Sequence, residues 1–184
     1  MRDRGSNMAT VAEILDGVIR IRFVRIRGWA YNIVAWRGLI CMPFTATHAE
    51  CVSPDGKWWI GQHGKGGMQR RPAGYDHDEV YILADDGRRC EIIVSIPCTK
   101  AQQDEFYAFM DAAVEAKEPY DWLAAWTFLI GGRHHRRFAS LCSSKVFLGF
   151  RSCKVLKWPV TMPAHEIEPA VLMLLLSIIV EISH

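Results

Sequence analysis

The chain lacks most of the features that would assign it at a glance. Charge of one sign is missing: 22 lysines and arginines stand against 20 aspartates and glutamates, a net charge of +2 over 184 residues. No whole-molecule field then favours a nucleic acid or an anionic membrane, and no nucleic-acid partner is expected. The six cysteines, at 41, 51, 90, 98, 142 and 153, contain no C-x-x-C pair, which excludes zinc-ribbon and thioredoxin-type readings of those thiols. A charged-then-apolar leader closed by small residues is missing too, so the expected compartment is cytoplasmic and the thiols are expected to be reduced. The most apolar segment, 170–182, is interrupted by Ser177 and Glu181 and falls short of the roughly 20 residues a spanning helix needs. It reads as a buried terminal helix rather than a stable membrane span, with a membrane-associated tail as the second reading. There is no internal repeat and no low-complexity tract.

What is present suits one globular domain. Half of the residues are hydrophobic and 23% are charged, and a domain of this size needs neither metal nor disulfides to hold it together. Residues 1–7 precede a second methionine, Met8, and are set aside as a tag or disordered start, leaving 8–184 as the domain.

Residues 18–27 alternate apolar and basic positions, the period of a half-exposed strand with its arginines toward water. An irregular stretch with Trp29, Tyr31 and Trp36 follows. A second strand over 44–52 is turned by Ser53-Pro54-Asp55-Gly56 into a return strand over 57–63, and Gly64, Gly66 and Gly67 form a flexible connection to Arg70-Arg71-Pro72. Further strands are expected over 78–84 and 90–96 around Asp85-Asp86-Gly87. Helices follow. Thr99 and Gln102 make a capping box for a helix reaching Lys117. A second helix covers about 122–130 before Gly131-Gly132, a third covers 139–147 before Gly149, and the last covers 166–180. The fold class is α+β, an antiparallel β-meander or small barrel packed against helices.

Cys142 falls in the first turn of the third helix, where unpaired backbone N–H groups and the positive end of the dipole lower a thiol's pKa. Without a base nearby such a cysteine is an ordinary buried thiol. His48 is the candidate base: strand alternation puts it on one face with Ala46 and Glu50, so an imidazole and a carboxylate sit side by side. Nucleophile, base and orienting group are what thiol catalysis requires.

The order Phe44-Thr-Ala-Thr-His-Ala-Glu50, Pro54-Asp55-Gly56, Gly66-Gly67 before Arg70-Arg71-Pro72, Pro119-Tyr120-Asp121-Trp122, Leu141-Cys142-Ser143-Ser144 and Ile167-Glu168-Pro169 resembles the circularly permuted NlpC-type papain-like hydrolases, the YiiX-like group. The similarity spans about residues 18–176. The resemblance implies a permuted papain-like fold in which the histidine strand precedes the nucleophile helix. It implies a cysteine peptidase or amidase acting on an amide bond of a peptide or peptidoglycan-derived substrate through a thioester. The family's His-x-Glu strand falls on His48 and Glu50. Its Cys-Ser-Glu turn falls on Cys142, Ser143 and Ser144, so serine replaces the family glutamate and Lys145 follows. The third catalytic group lies on the next strand, as Gln62 or His63 according to register. No cofactor is implied, and the family's distribution adds phage or prophage genomes as a source.

Two other functions share the pattern: a thioesterase or acyltransferase on a lipid substrate, and a binding module that lost turnover at Ser144 and Lys145. His134-His135 reads as a solvated basic loop, so no metal is assigned. Gly64-Lys65-Gly66-Gly67 lacks phosphate-loop spacing and implies no nucleotide. Trp58 and Trp59 cannot both face inward on one strand, so one is expected to meet solvent or substrate, and Tyr120-Asp121-Trp122 reads as a helix start.

Overall fold

A computed structural model describes residues 15–27, 46–80, 82, 89–121, 141–155, 167 and 169–182. Five strands form one antiparallel sheet: β1 (Gly17–Val24), β2 (His48–Val52), β3 (Trp58–His63), β4 (Gly67–Pro72) and β5 (Glu91–Cys98), in the order β4-β3-β2-β1-β5. Three helices complete the described fold: α1 (Lys100–Glu115), α2 (Cys142–Ser152) and α3 (Pro169–Ile182). The class is thus α+β. The expected segments over 29–36 and 122–130, the His134-His135 loop and the Asp85-Asp86-Gly87 turn lie outside the described residues.

The β2–β3 turn forms where Ser53-Pro54-Asp55-Gly56 predicts it. Asp55 Oδ1 accepts the Lys57 N–H at 3.1 Å, Ser53 Oγ accepts the Trp58 N–H at 3.0 Å, and Gly56 takes the positive φ of 74°. The glycines after β3 differ from expectation: instead of a flexible connection they make a tight turn, and β4 pairs with β3 from His63↔Gly67 to Trp58↔Pro72. Residues 78–84 also differ. Residues 73–79 are turns, Val80 makes an isolated bridge to Ile26, and Ile82 bridges Arg89. β5 therefore pairs with β1 on the far side of the meander.

The capping box at Thr99 is complete: its hydroxyl accepts the Gln102 N–H at 3.2 Å, and Gln102 Oε1 accepts the Thr99 N–H at 3.0 Å. α2 runs through Gly149 to Ser152 rather than ending there, and glycine stands at 149 because a Cβ would lie 2.7 Å from the Phe106 ring. The glycine serves helix packing, not termination. Pro169 opens α3, where its missing N–H costs no helical bond.

Ile19, Ile21, Phe23, Cys51 and Ile60 pack with Phe106, Met110, Phe147 and Phe150 into one core, joined by Leu172, Met173 and Leu176 of α3. The alternate positions of β1 do not all meet water. Arg22 is fully buried, against the expectation for the basic positions, because a folded-over turn around Tyr75 and Asp76 covers this part of the sheet. Among the described residues no helix is long and apolar enough to cross a membrane.

Candidate active site

α2 starts beside the first residues of β2. Leu141 is its N-cap, with extended backbone and no side-chain cap, so no side chain covers the first N–H groups of the helix. The Cys142 sulfur accepts from the backbone N–H of Ala49 and of Ser143 and is hydrogen-bonded to the His48 ring. Two segments nearly a hundred positions apart in sequence are thereby joined. Burial alone pushes this thiol up, but the charge and hydrogen bond of His48 outweigh it and hold Cys142 below the ordinary thiol range. The effect on His48 is reciprocal. Its burial favours the neutral ring, yet Cys142, and after it Glu50, raise it to about 10.

His48 Nε2 lies 3.7 Å from Glu50 Oε2 and has no hydrogen-bond partner among the described residues, so the ring's bond to the sulfur falls to Nδ1. Strand alternation predicts this neighbourhood, and Glu50 is the group behind the ring. Space for it comes from Gly61, the cross-strand partner of Glu50, where a Cβ would stand 2.7 Å from that of Glu50. Register separates the two candidates on β3. His63 falls opposite His48, with ring centroids 5.1 Å apart, and its Nε2 is 3.9 Å from the same Glu50 oxygen. Gln62 points away: its Nε2 donates to the carbonyls of Glu118 and Pro119 at 3.1 and 2.6 Å. It does not orient His48 but ties β3 to the segment after α1, where Gly67 also presses so closely that a Cβ would stand 2.3 Å from the Glu118 carbonyl.

Four residues outside the sequence-based candidates complete the site. Arg22 donates to Glu50, and its guanidinium also reaches Asp76 at 2.9 and 3.0 Å and Glu91 at 3.1 Å. Its charge lies 3.6 Å over the Trp59 ring, so Trp59 faces this cluster while Trp58 is the more exposed of the two. The Tyr75 hydroxyl stands 3.4 Å from Glu50 Oε2 and 3.4 Å from His63 Nδ1. The signal for Arg22 is its place opposite Glu50 in the strand pairing, which only the fold reveals.

Burial opposes the charge on Glu50, but His48, Arg22 and His63 together keep its carboxyl below the ordinary range. Burial, and next the charge of His48, lower His63 to about 3 despite Glu50. One proton is thus held on His48 and refused by His63.

After Cys142 and Ser143, the Ser144 hydroxyl is buried without a partner among the described residues, while Lys145 reaches Glu118 at 2.5 Å and lies 4.4 Å over the Phe109 ring. Lys145 therefore fastens the helix start to the segment that Gln62 holds. Ser143 donates to the Ile167 carbonyl. His48, Glu50 and His63 each offer a ligand atom within 4.8 Å of the others, a set able to hold a metal ion. Comparison of the chain with family models, with curated proteins and with solved structures finds no match.

Proposed function

We propose that this chain is a cysteine hydrolase of the permuted papain-like type, a peptidase or amidase that cleaves an amide bond in a peptide or cell-wall-derived substrate. The observation that carries this reading is the hydrogen-bonded Cys142–His48 pair at the start of α2, with Glu50 on the far side of the imidazole.

In this reading the Cys142 thiolate attacks the substrate carbonyl carbon and the carbonyl oxygen takes the negative charge. In this reading the Cys142 backbone N–H, at the uncapped start of α2, donates to that oxygen, and one such donor is worth on the order of 10²–10³-fold in rate. As the C–N bond breaks, the His48 imidazolium gives its proton to the leaving amine and a thioester remains. Water then attacks the thioester, its proton passes to His48, and the acid product leaves the thiolate restored. Glu50 holds the ring and balances its charge; Arg22 holds Glu50.

Alkylation by iodoacetamide at about pH 6, mapped by mass spectrometry, tests the pair. Label is expected on Cys142 first, and His48→Gln is expected to abolish the preference. Equal labelling of all cysteines, or none, would remove the hydrolase reading. A thioesterase acting on a lipid is the second reading, favoured by Ile92 and Ile93 on β5 and Leu174 and Ile178 on α3, which are all exposed. Amine release from peptide amides, compared with thiol release from long-chain acyl thioesters, ranks the two. Selective labelling with neither release is the outcome expected of a binding module.

A further inference from the structure

The reaction moves its proton through one nitrogen of His48; the other, which faces Glu50, belongs to a second arrangement as well. His48 Nε2 and His63 Nε2 are both buried without a hydrogen-bond partner. Both face Glu50 Oε2, at 3.7 and 3.9 Å. A buried polar atom left unpaired is costly, and two around one carboxylate oxygen leave room for a shared cation.

We propose that His48 Nε2, His63 Nε2 and Glu50 Oε2 form a binding site for a divalent transition-metal ion of the zinc class, and that the bound ion switches the Cys142–His48 pair off. Two imidazoles and a carboxylate are a donor set that zinc takes. Bonds of the usual length around a tetrahedral zinc put ligand atoms about 3.4 Å apart. The separations from the carboxylate oxygen, 3.7 and 3.9 Å, need to close by about half an ångström or less, and all three ligand atoms lie within 4.8 Å of one another, so the two imidazoles draw together by at most about 1.4 Å as the ion enters.

The neighbours supply the orientation a metal site requires. Arg22 occupies the other oxygen of Glu50, leaving Oε2 for the ion. When the Tyr75 hydroxyl donates to Oε2 it accepts from His63 Nδ1–H, the tautomer that turns a lone pair outward at Nε2. The thiolate does the same for His48 by accepting from Nδ1–H. Charge also fits: Glu50, Asp76 and Glu91 surround one guanidinium, and Arg71, over the Tyr75 ring at 4.7 Å, is a further cation nearby. A dication offsets the excess of carboxylates beside Arg22.

The consequence follows from the two nitrogens of one ring. With the ion on Nε2, His48 keeps Nδ1–H but cannot add a second proton, so the imidazolium that protonates the leaving amine does not form. The binding stands on geometry alone; the switching rests on the hydrolase reading.

Zinc alone, titrated calorimetrically into Cys142→Ser protein, is expected to fill one site, and adding His63→Asn to weaken it by at least about 100-fold, the upper end of what loss of an outer-shell partner costs. His48→Asn is the second ligand variant should His63→Asn fail to melt cooperatively. Cobalt(II) in the wild-type protein is expected to give visible d–d bands without an intense near-ultraviolet sulfur band. Equal zinc affinity with and without His63, or a sulfur-to-cobalt band lost in Cys142→Ser, would overturn the site. Zinc that fills the site in wild-type protein without slowing turnover would overturn the switch. Because binding is read in a protein without its nucleophile, failure here is distinct from failure of the hydrolase reading, which alkylation decides.

Discussion

Cys142 and Cys51 are both buried, and Cys51 lies on the same strand as His48, three positions on. Burial pushes both thiols up, and for Cys51 the neighbouring charge of Glu50 pushes further the same way. Its hydrogen goes to the Ile60 carbonyl at 3.4 Å, and it stays well above the ordinary thiol range. Cys98, pushed up to about 11 by burial and then by Cys153, repeats the pattern. Cys142 moves the other way because an imidazole and two backbone N–H groups face it. Burial is common to both regions; the positive partner separates them. The histidines divide on the same ground, His48 rising to about 10 beside the thiolate and His63 falling to about 3 behind it.

The sharpest way to break this comparison is to exchange the two regions' thiols one at a time. Cys142→Ala is expected to lower kcat/KM on a cleavable amide by on the order of 10⁴-fold or more. Cys51→Ala should leave turnover within about twofold and cost stability only on the scale of about 1 kcal/mol. Equal losses from both would end the distinction.

The next effect concerns Arg22, which separates the polar region from the apolar core. Arg22→Met leaves Glu50 and Asp76 buried without their cation, and the expected cost is about 3–5 kcal/mol in urea unfolding. A loss below about 1 kcal/mol would mean that the cluster is solvated rather than enclosed.

The pH dependence sharpens the contrast between the histidines. His48 has its folded pKa raised to about 10, so its contribution to stability is fully present below about pH 6.5 and is lost as pH rises through about 10. His63 has its folded pKa lowered to about 3, so its contribution is present above about pH 6.5 and is lost as pH falls toward 3. Urea midpoints measured against pH should therefore lose the alkaline limb in His48→Gln and the acid limb in His63→Gln. A shared limb affected equally by both variants would count against the division of roles.

The smallest expected effect is that of Tyr75→Phe. It removes one hydroxyl from Glu50 and His63 and should cost about 0.5–1.5 kcal/mol, with the Cys142 alkylation preference retained. Loss of that preference would move Tyr75 from the supporting layer into the reacting pair.

How much of this was legible depends on range. The Ser53-Pro54-Asp55-Gly56 turn and the Thr99–Gln102 capping box are contacts between residues at most five positions apart, and both form as their residue types predict. The shared face of His48 and Glu50 follows from the period of a strand. Gly149 shows where local reading ends: a glycine looks like a terminator until the ring of Phe106 occupies the space beside it. The same holds for the glycines before β4, whose turn is stabilised as a strand connection only once β3 is there to pair.

Alternation, turn chemistry and the helix start were within reach of the chain alone, because each depends on neighbours in sequence and on backbone geometry that any solvent would impose. It also determined that a thiol stands at a helix start and an imidazole beside a carboxylate. Tertiary structure decided the rest: that β2 and α2 meet, that His63 rather than Gln62 shares the face, and that a turn carrying Tyr75 and Asp76 closes over Arg22. The physical reason is one of distance. A one-residue slip of register exchanges the faces of a strand, and the proton balance of buried groups is set by which charges come within a few ångströms, which no spacing along the chain specifies.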